Sequence, residues 1–205
     1  MMMMKKLLYH LNNLWIFTFI SIMFYQLIVN GQKVTLSRNL TVLSLIIVCI
    51  IPWLIKKIFK YEMSEIIKFI YFLFLFLAFI LGNIYNFYRT ISWYDLLVHS
   101  ISGIGTSLVA LLILKKFNLI KKDLLVFNII FIVAFSLMIG VFWEFLEFFI
   151  DKLLKVDAQW VLLTGVDDTM TDMLVSFISS IIFSVLYYIG IKINKKNIKK
   201  IDNIL

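Results

Sequence analysis

Six apolar runs, set apart by short polar breaks, dominate the pattern of this chain: residues 7–29, 40–55, 66–88, 93–114, 124–150 and 170–191. A helix rises about 1.5 Å per residue and a bilayer's hydrocarbon core is about 30 Å thick, so roughly 20 apolar residues span it. The pattern predicts an all-α fold: a polytopic six-transmembrane-helix bundle forming a single integral membrane domain over residues 1–205. The second run is the shortest, but Lys56 and Lys57 can snorkel from its end to the interface. It also carries Pro52, which lacks an N–H, so the carbonyl of Val48 is freed and the helix is expected to kink there. Lys5 and Lys6 before the first run resemble the start of a signal peptide. No small-residue cleavage motif follows, so this run is expected to remain as the first helix.

Composition agrees with the pattern. Hydrophobic residues make up 62% of the chain and charged residues only 16%, far from the quarter charged that a soluble domain carries. Cys49 is the only cysteine, which excludes an intrachain disulfide. The net charge of +8 is not a nucleic-acid signal once the charges are placed. Fifteen of the 20 basic residues fall before run one, between two and three, between four and five, or after six. The positive-inside rule puts that side, and both termini, in the cytoplasm. The segment 192–205 has Lys192, Lys195, Lys196, Lys199 and Lys200 opposite Asn194, Ile198, Ile201 and Leu205. It reads as a basic amphipathic tail on anionic lipid, or as a plain topology anchor. Eighteen lysines against two arginines, with many Ile and Asn, suggest an AT-rich bacterial genome.

The acids are distributed differently. Glu62, Glu65, Asp123 and Asp202 lie on the cytoplasmic side; Asp95, Glu144, Glu147, Asp151, Asp157, Asp167, Asp168 and Asp172 gather at the opposite ends of runs four to six or in the loop joining five and six. Residues four apart share a helical face. Run four reads Asp95, His99, Gly103, Ser107 at that spacing; run six reads Asp172, Ser176, Ser180, Ser184; run five, read inward, gives Asp151, Glu147, Glu144, Gly140, Ser136. Small residues let membrane helices approach closely, so the three stripes are expected to pack together and converge their acids. Ionisable groups at this depth are costly and point to function. Structural readings compete. Ser92 with Asp95, and Thr169 with Asp172, fit capping boxes, and His99 could be a core histidine bonded to a carbonyl. Capping cannot serve Glu144 and Glu147, which lie near a helix C-terminus, where the macrodipole repels anions. They need a cation, a proton or donors; Arg89, on a stripe with Asn83 and Asn86, is one candidate partner. Trp143 reads as an interfacial anchor.

Tyr94-Asp95-x-x-x-His99, Trp143-Glu144-x-x-Glu147 and Asp168-Thr169-x-x-Asp172-Met173 resemble the pattern of YjdF-like bacterial inner-membrane proteins over roughly residues 80–185. The aspartate–histidine block is more weakly similar to VanZ-like membrane proteins. Ser179 and Ser180 stand where the YjdF-like pattern has a mid-helix glycine. The resemblance implies a polytopic membrane protein and supplies no reaction.

One histidine with several carboxylates is an oxygen-rich ligand set that favours Mg²⁺ or Mn²⁺, with Ca²⁺, Zn²⁺ or iron as alternatives. One reading is a metal-dependent hydrolase or transferase acting on an envelope lipid or lipid-linked substrate. Asp95, His99, Glu144, Glu147 and Asp172 would bind the metal or move protons, Arg89 and Asp168 would contact substrate, and segment 158–166 with Trp160 and Gly165 would form an interfacial lid. The alternatives are a proton- or cation-coupled transporter and a structural or accessory membrane protein. Oligomeric state is not readable from these features.

Overall fold

The computed structural model describes residues 2–29, 36–121, 123–159 and 161–193. Among them all regular structure is helical, as the apolar periodicity predicts. Five helices are long and apolar enough to cross a membrane: Met3–Gln26, Glu65–Ile84, Tyr94–Lys116, Leu125–Leu154 and Asp167–Ile191. The chain divides into two compact units, residues 1–92 and residues 93–204. The basic tail from residue 194, together with Lys33, Lys122 and Trp160, lies outside the described residues.

The first unit contains α1 (Met2–Val29), α2 (Leu36–Cys49), α3 (Ile51–Phe59), α4 (Glu65–Leu75) and α5 (Phe87–Thr90). Helix α4 continues without a break as a π-helical stretch, Phe76–Ile84. Trp15 and Phe19 of α1 stack at 5.8 Å; Trp15 also meets Phe76 at 5.2 Å, and Phe19 meets Phe72 at 6.1 Å. Phe19, Leu45, Phe72, Leu75 and Ile80 form the buried centre. At one end of this pair Asn12 donates to the Glu65 carbonyl at 2.9 Å and to its carboxylate at 2.8 Å, while Lys68 meets the same carboxylate at 2.7 Å.

Two sequence-predicted segments differ here. The second run does not form one spanning helix: it breaks at Ile50 into α2 and α3, of 14 and 9 residues, with Pro52 in the first turn of α3. The carbonyl that proline frees is not left bare, because the Tyr71 hydroxyl donates to Val48 O at 2.6 Å. A polar group at membrane depth needs such an internal partner. The third run ends its helix at Ile84 rather than Tyr88. Asn86 takes a left-handed conformation, φ 64°, and α5 starts afresh, so Asn83, Asn86 and Arg89 do not share one helical stripe.

The second unit contains α6 (Tyr94–Lys116), α7 (Leu125–Leu154), α8 (Val161–Thr164) and α9 (Asp167–Ile193). Helices α6, α7 and α9 pack pairwise into a three-helix bundle. Its polarity is inverted relative to a soluble protein. Ser107, Asn128, Ser136, Ser176, Ser180 and Ser184 are buried, whereas Phe142, Phe145, Leu146, Leu174, Ile182 and Leu186 are exposed. An exterior of this kind suits lipid, and an interior of hydroxyls suits close helix contact.

The contact is closest at Gly103. A Cβ there would sit 2.4 Å from the backbone oxygen of Ser176, so only glycine admits α9 at this distance. Around it the hydroxyls bind backbone and one another: Ser107 Oγ donates to Gly103 O at 2.7 Å, Ser136 Oγ to the same oxygen at 3.1 Å, and Thr106 and Ser136 hydroxyls meet at 2.7 Å. The α6 and α9 stripes therefore pack as read from sequence. Gly140 does not take part in the same way, since a Cβ there would meet nothing within 4 Å.

Candidate metal centre

Helices α6 and α9 run in the same direction, so one turn back from the Gly103–Ser176 contact lie His99 and Asp172, and one further turn back on α6 lies Asp95. Ser176 Oγ fixes this register by donating to His99 O at 3.2 Å. The result is a convergence of three donors. His99 Nε2 lies 3.6 Å from Asp95 Oδ1 and 3.6 Å from Asp172 Oδ2. One ligand atom from each of Asp95, His99 and Asp172 falls within 4.8 Å of the others. A separation of 3.6 Å is too long for a direct hydrogen bond. Ligands at about 2.1 Å from a metal stand roughly 3.0–3.4 Å apart, so these donors stand slightly wider than a shared ion would hold them. Asp172 is only 4% exposed, so its charge has little access to solvent.

Neither capping explanation holds. The residue before α6 is Trp93, with no side-chain cap, so Ser92 does not cap this helix. Helix α9 already begins at Asp167, which places Thr169 and Asp172 inside it. Neither aspartate belongs to a capping box, although Asp95 stands in the first turn of α6, where the helix dipole favours an acid.

Glu144 reaches the same region from α7, two turns beyond Ser136, and is 5% exposed. The Gln159 amide donates to its backbone oxygen at 3.4 Å, and its Oε2 is buried without a hydrogen-bond partner among the described residues. Asp95, Glu144, Asp168 and Asp172 are close enough to repel one another. Such an arrangement is costly as four bare anions, and a divalent cation or protons would relieve it. Glu147 adds to the same field, but it already accepts a hydrogen bond from Trp143 Nε1 at 2.9 Å. Trp143 is therefore a donor as well as a surface aromatic. Asp168 stands in the first turn of α9, half-buried beside the cluster.

Asp151 and Asp157 have structural partners. Asp151 accepts from the backbone N–H groups of Ala158 at 2.5 Å and Gln159 at 3.1 Å, and Asp157 accepts from that of Leu162 at 3.3 Å. Arg89 is an exposed residue of α5 in the first unit, and the second unit assembles its acids from its own helices. Two participants were not legible as such. Gln159, 9% exposed, bridges Glu144 O at 3.4 Å and Thr169 Oγ1 at 3.2 Å. It sits in a loop without periodicity, where only its being an amide among acids was a signal. Thr169 stood in sequence as a cap, and its Oγ1 accepts from the Gln159 amide at 3.2 Å.

Neither a curated protein nor a solved structure matches the chain. One family does match, over residues 11–192, and its span takes in every helix of both units apart from the two ends. On that match the chain belongs to the family described as "Predicted membrane protein (DUF2238)".

Proposed function

We propose that the second unit is a membrane-embedded divalent-cation site serving a hydrolase or transferase, and that its substrate is an envelope lipid or lipid-linked molecule. The reading takes the protein as YjdF-like and as resident in a bacterial cytoplasmic membrane, with both termini inside and the acids at the outer face. One observation carries it: Asp95, His99 and Asp172 present ligand atoms within 4.8 Å beside Glu144, whose buried Oε2 has no partner among the described residues. Asp95, His99 and Asp172 hold the ion, Mg²⁺ or Mn²⁺ by ligand chemistry. A bound ion would supply a Lewis acid for a phosphoryl or carbonyl oxygen. Glu144 is the base, with the Gln159 amide bonded to its backbone oxygen; Glu147 and Asp168 set the local field.

The test is lipid turnover. Purified protein in nanodiscs of bacterial envelope lipid is incubated with Mg²⁺ or Mn²⁺, and the lipids are followed by mass spectrometry. New products should form with wild type and vanish with EDTA or Glu144→Gln. A lipid profile unchanged by active protein under every condition contradicts the enzymatic reading.

A second reading, a proton- or cation-coupled transporter, is favoured by a different observation. Buried polar side chains continue down the bundle to Ser184 and Asn128, whose Oγ and Oδ1 atoms are buried without partners among the described residues, and Asn128 reaches Tyr187 at 3.4 Å and Leu119 O at 3.1 Å. Intramembrane polar rows of this kind mark proton paths. Proton or cation flux in proteoliposomes, reduced by Asn128→Leu, supports transport; flux equal to that of empty liposomes removes it.

A further inference from the structure

The loop between α7 and α9 has an unusual surface. Its tip is apolar and almost wholly unshielded: Leu162 is 86% and Leu163 is 77% exposed, with Val161 and Val166 also exposed. Gly165, at φ 68°, closes the turn, and its N–H binds Val161 O at 3.0 Å. The loop's base, by contrast, is tightly held. Asp151 binds the N–H groups of Ala158 and Gln159, and Asp157 binds that of Leu162.

These features together point to a bilayer as the occupant. Both flanking helices are long and apolar enough to cross a membrane, so the loop leaves and re-enters at an interface. Helix α7 has 30 residues, or about 45 Å at the standard rise, against a hydrocarbon core of about 30 Å. Its last turns therefore reach the headgroup zone. There Lys152 and Lys155 are exposed before the tip and Asp167 after it, the polar frame expected of a segment lying at that boundary. Backbone donors at residues 158 and 159 are satisfied by Asp151 at the end of α7, and those at 162 and 165 by Asp157 and Val161 of the loop, which suits a poorly hydrated zone.

We propose that residues 161–166 are an interfacial anchor, embedded in the headgroup–acyl boundary of the adjacent leaflet. Gln159, just before the tip, contacts Glu144 and Thr169, so the anchor fixes the position of the carboxylate cluster relative to the lipid surface. The inference is independent of whether a metal binds.

Nitroxide labels at Leu162→Cys and Leu163→Cys, in a Cys49→Ser background, test it in nanodiscs of phosphatidylcholine and phosphatidylglycerol. Collision with oxygen is compared with collision with a water-soluble nickel chelate; a label at Asp167→Cys is the reference. At a depth of about 5–10 Å, the oxygen-to-nickel ratio at 162 and 163 should exceed that at 167 several-fold. Equal ratios at all three overturn the proposal. So does strong dipolar broadening between labels, which would make the tip a contact between two copies. Unlabelled Leu162→Cys gives a second measurement: protection from a membrane-impermeant maleimide in nanodiscs is the expected result, and reaction as fast as at Asp167→Cys overturns it. Neither readout depends on an ion at the carboxylate cluster, so their failure leaves the cation reading untouched.

Discussion

Gly103→Ala is the sharpest perturbation the bundle offers, because it adds one methyl group at a backbone-to-backbone contact. The new Cβ would stand 2.4 Å from Ser176 O, where ordinary contact begins at 3.4 Å. Neither partner is the end of a flexible side chain, so α6 and α9 must separate by about 1 Å. Overpacking of this size costs about 1–3 kcal/mol, while alanine returns up to about 1 kcal/mol of helix propensity. With the full return the net loss is up to about 2 kcal/mol, which lowers the melting temperature by up to roughly 8 °C at about 2–4 °C per kcal/mol for a chain of this length. The separation propagates one turn to His99 and Asp172, lengthening their 3.6 Å approach and weakening Mn²⁺ binding. The assay is thermal unfolding in nanodiscs with and without Mn²⁺, beside Gly105→Ala and Gly140→Ala, where a Cβ meets nothing within 4 Å. Those controls should be neutral or stabilising. A Gly103→Ala protein that melts and binds Mn²⁺ like the controls would refute the close-packing account.

Further predictions concern the rest of the chain. Tyr71→Phe should cost about 1–2 kcal/mol because Val48 O loses its donor, and the cost should shrink in a Pro52→Ala background, where the residue 52 N–H can reclaim that carbonyl; a double-mutant cycle in chemical unfolding measures the coupling. Asn12→Asp should destabilise more than Asn12→Ala, since it sets a second carboxylate against the Glu65 oxygen that Asn12 now contacts at 2.8 Å; the two unfolding midpoints decide it. Asp151→Ala removes the acceptor for two loop N–H groups and should speed amide exchange at Ala158 and Gln159 by about tenfold or more, as loss of charge-assisted bonds of about 1.5–3 kcal/mol implies; unchanged exchange by mass spectrometry would contradict the tether.

The helices and the converging stripe were legible because they rest on periodicity. Asp95, His99, Gly103 and Ser107 repeat every four residues, as do Asp172, Ser176, Ser180 and Ser184, and any pair of helices packed on those faces must bring His99 toward Asp172. Helix ends were less legible. Ser92 and Thr169 carry the chemistry of caps, but α6 begins after Trp93 and α9 begins at Asp167; three residues of register decide between a cap and a site. The break at Ile50 followed from Pro52, whereas its repair by Tyr71, 23 residues away, depends on tertiary contact that no local pattern encodes. Gln159 was hidden for the same reason, being placed by the loop's fold against Glu144 and Thr169. Gly140 shows the converse: a small residue in register with a stripe is not thereby a contact.

The central claim is that Asp95, His99 and Asp172 hold a divalent cation. Elemental analysis of protein purified without chelator tests it directly, against His99→Ala, Asp172→Asn and the exposed-site control Glu62→Gln. The account predicts about one bound Mg²⁺ or Mn²⁺ per chain in wild type and Glu62→Gln, lost in the other two while they remain folded. Metal-free wild type that also fails to take up added Mn²⁺, or equal metal in all four proteins, would contradict it.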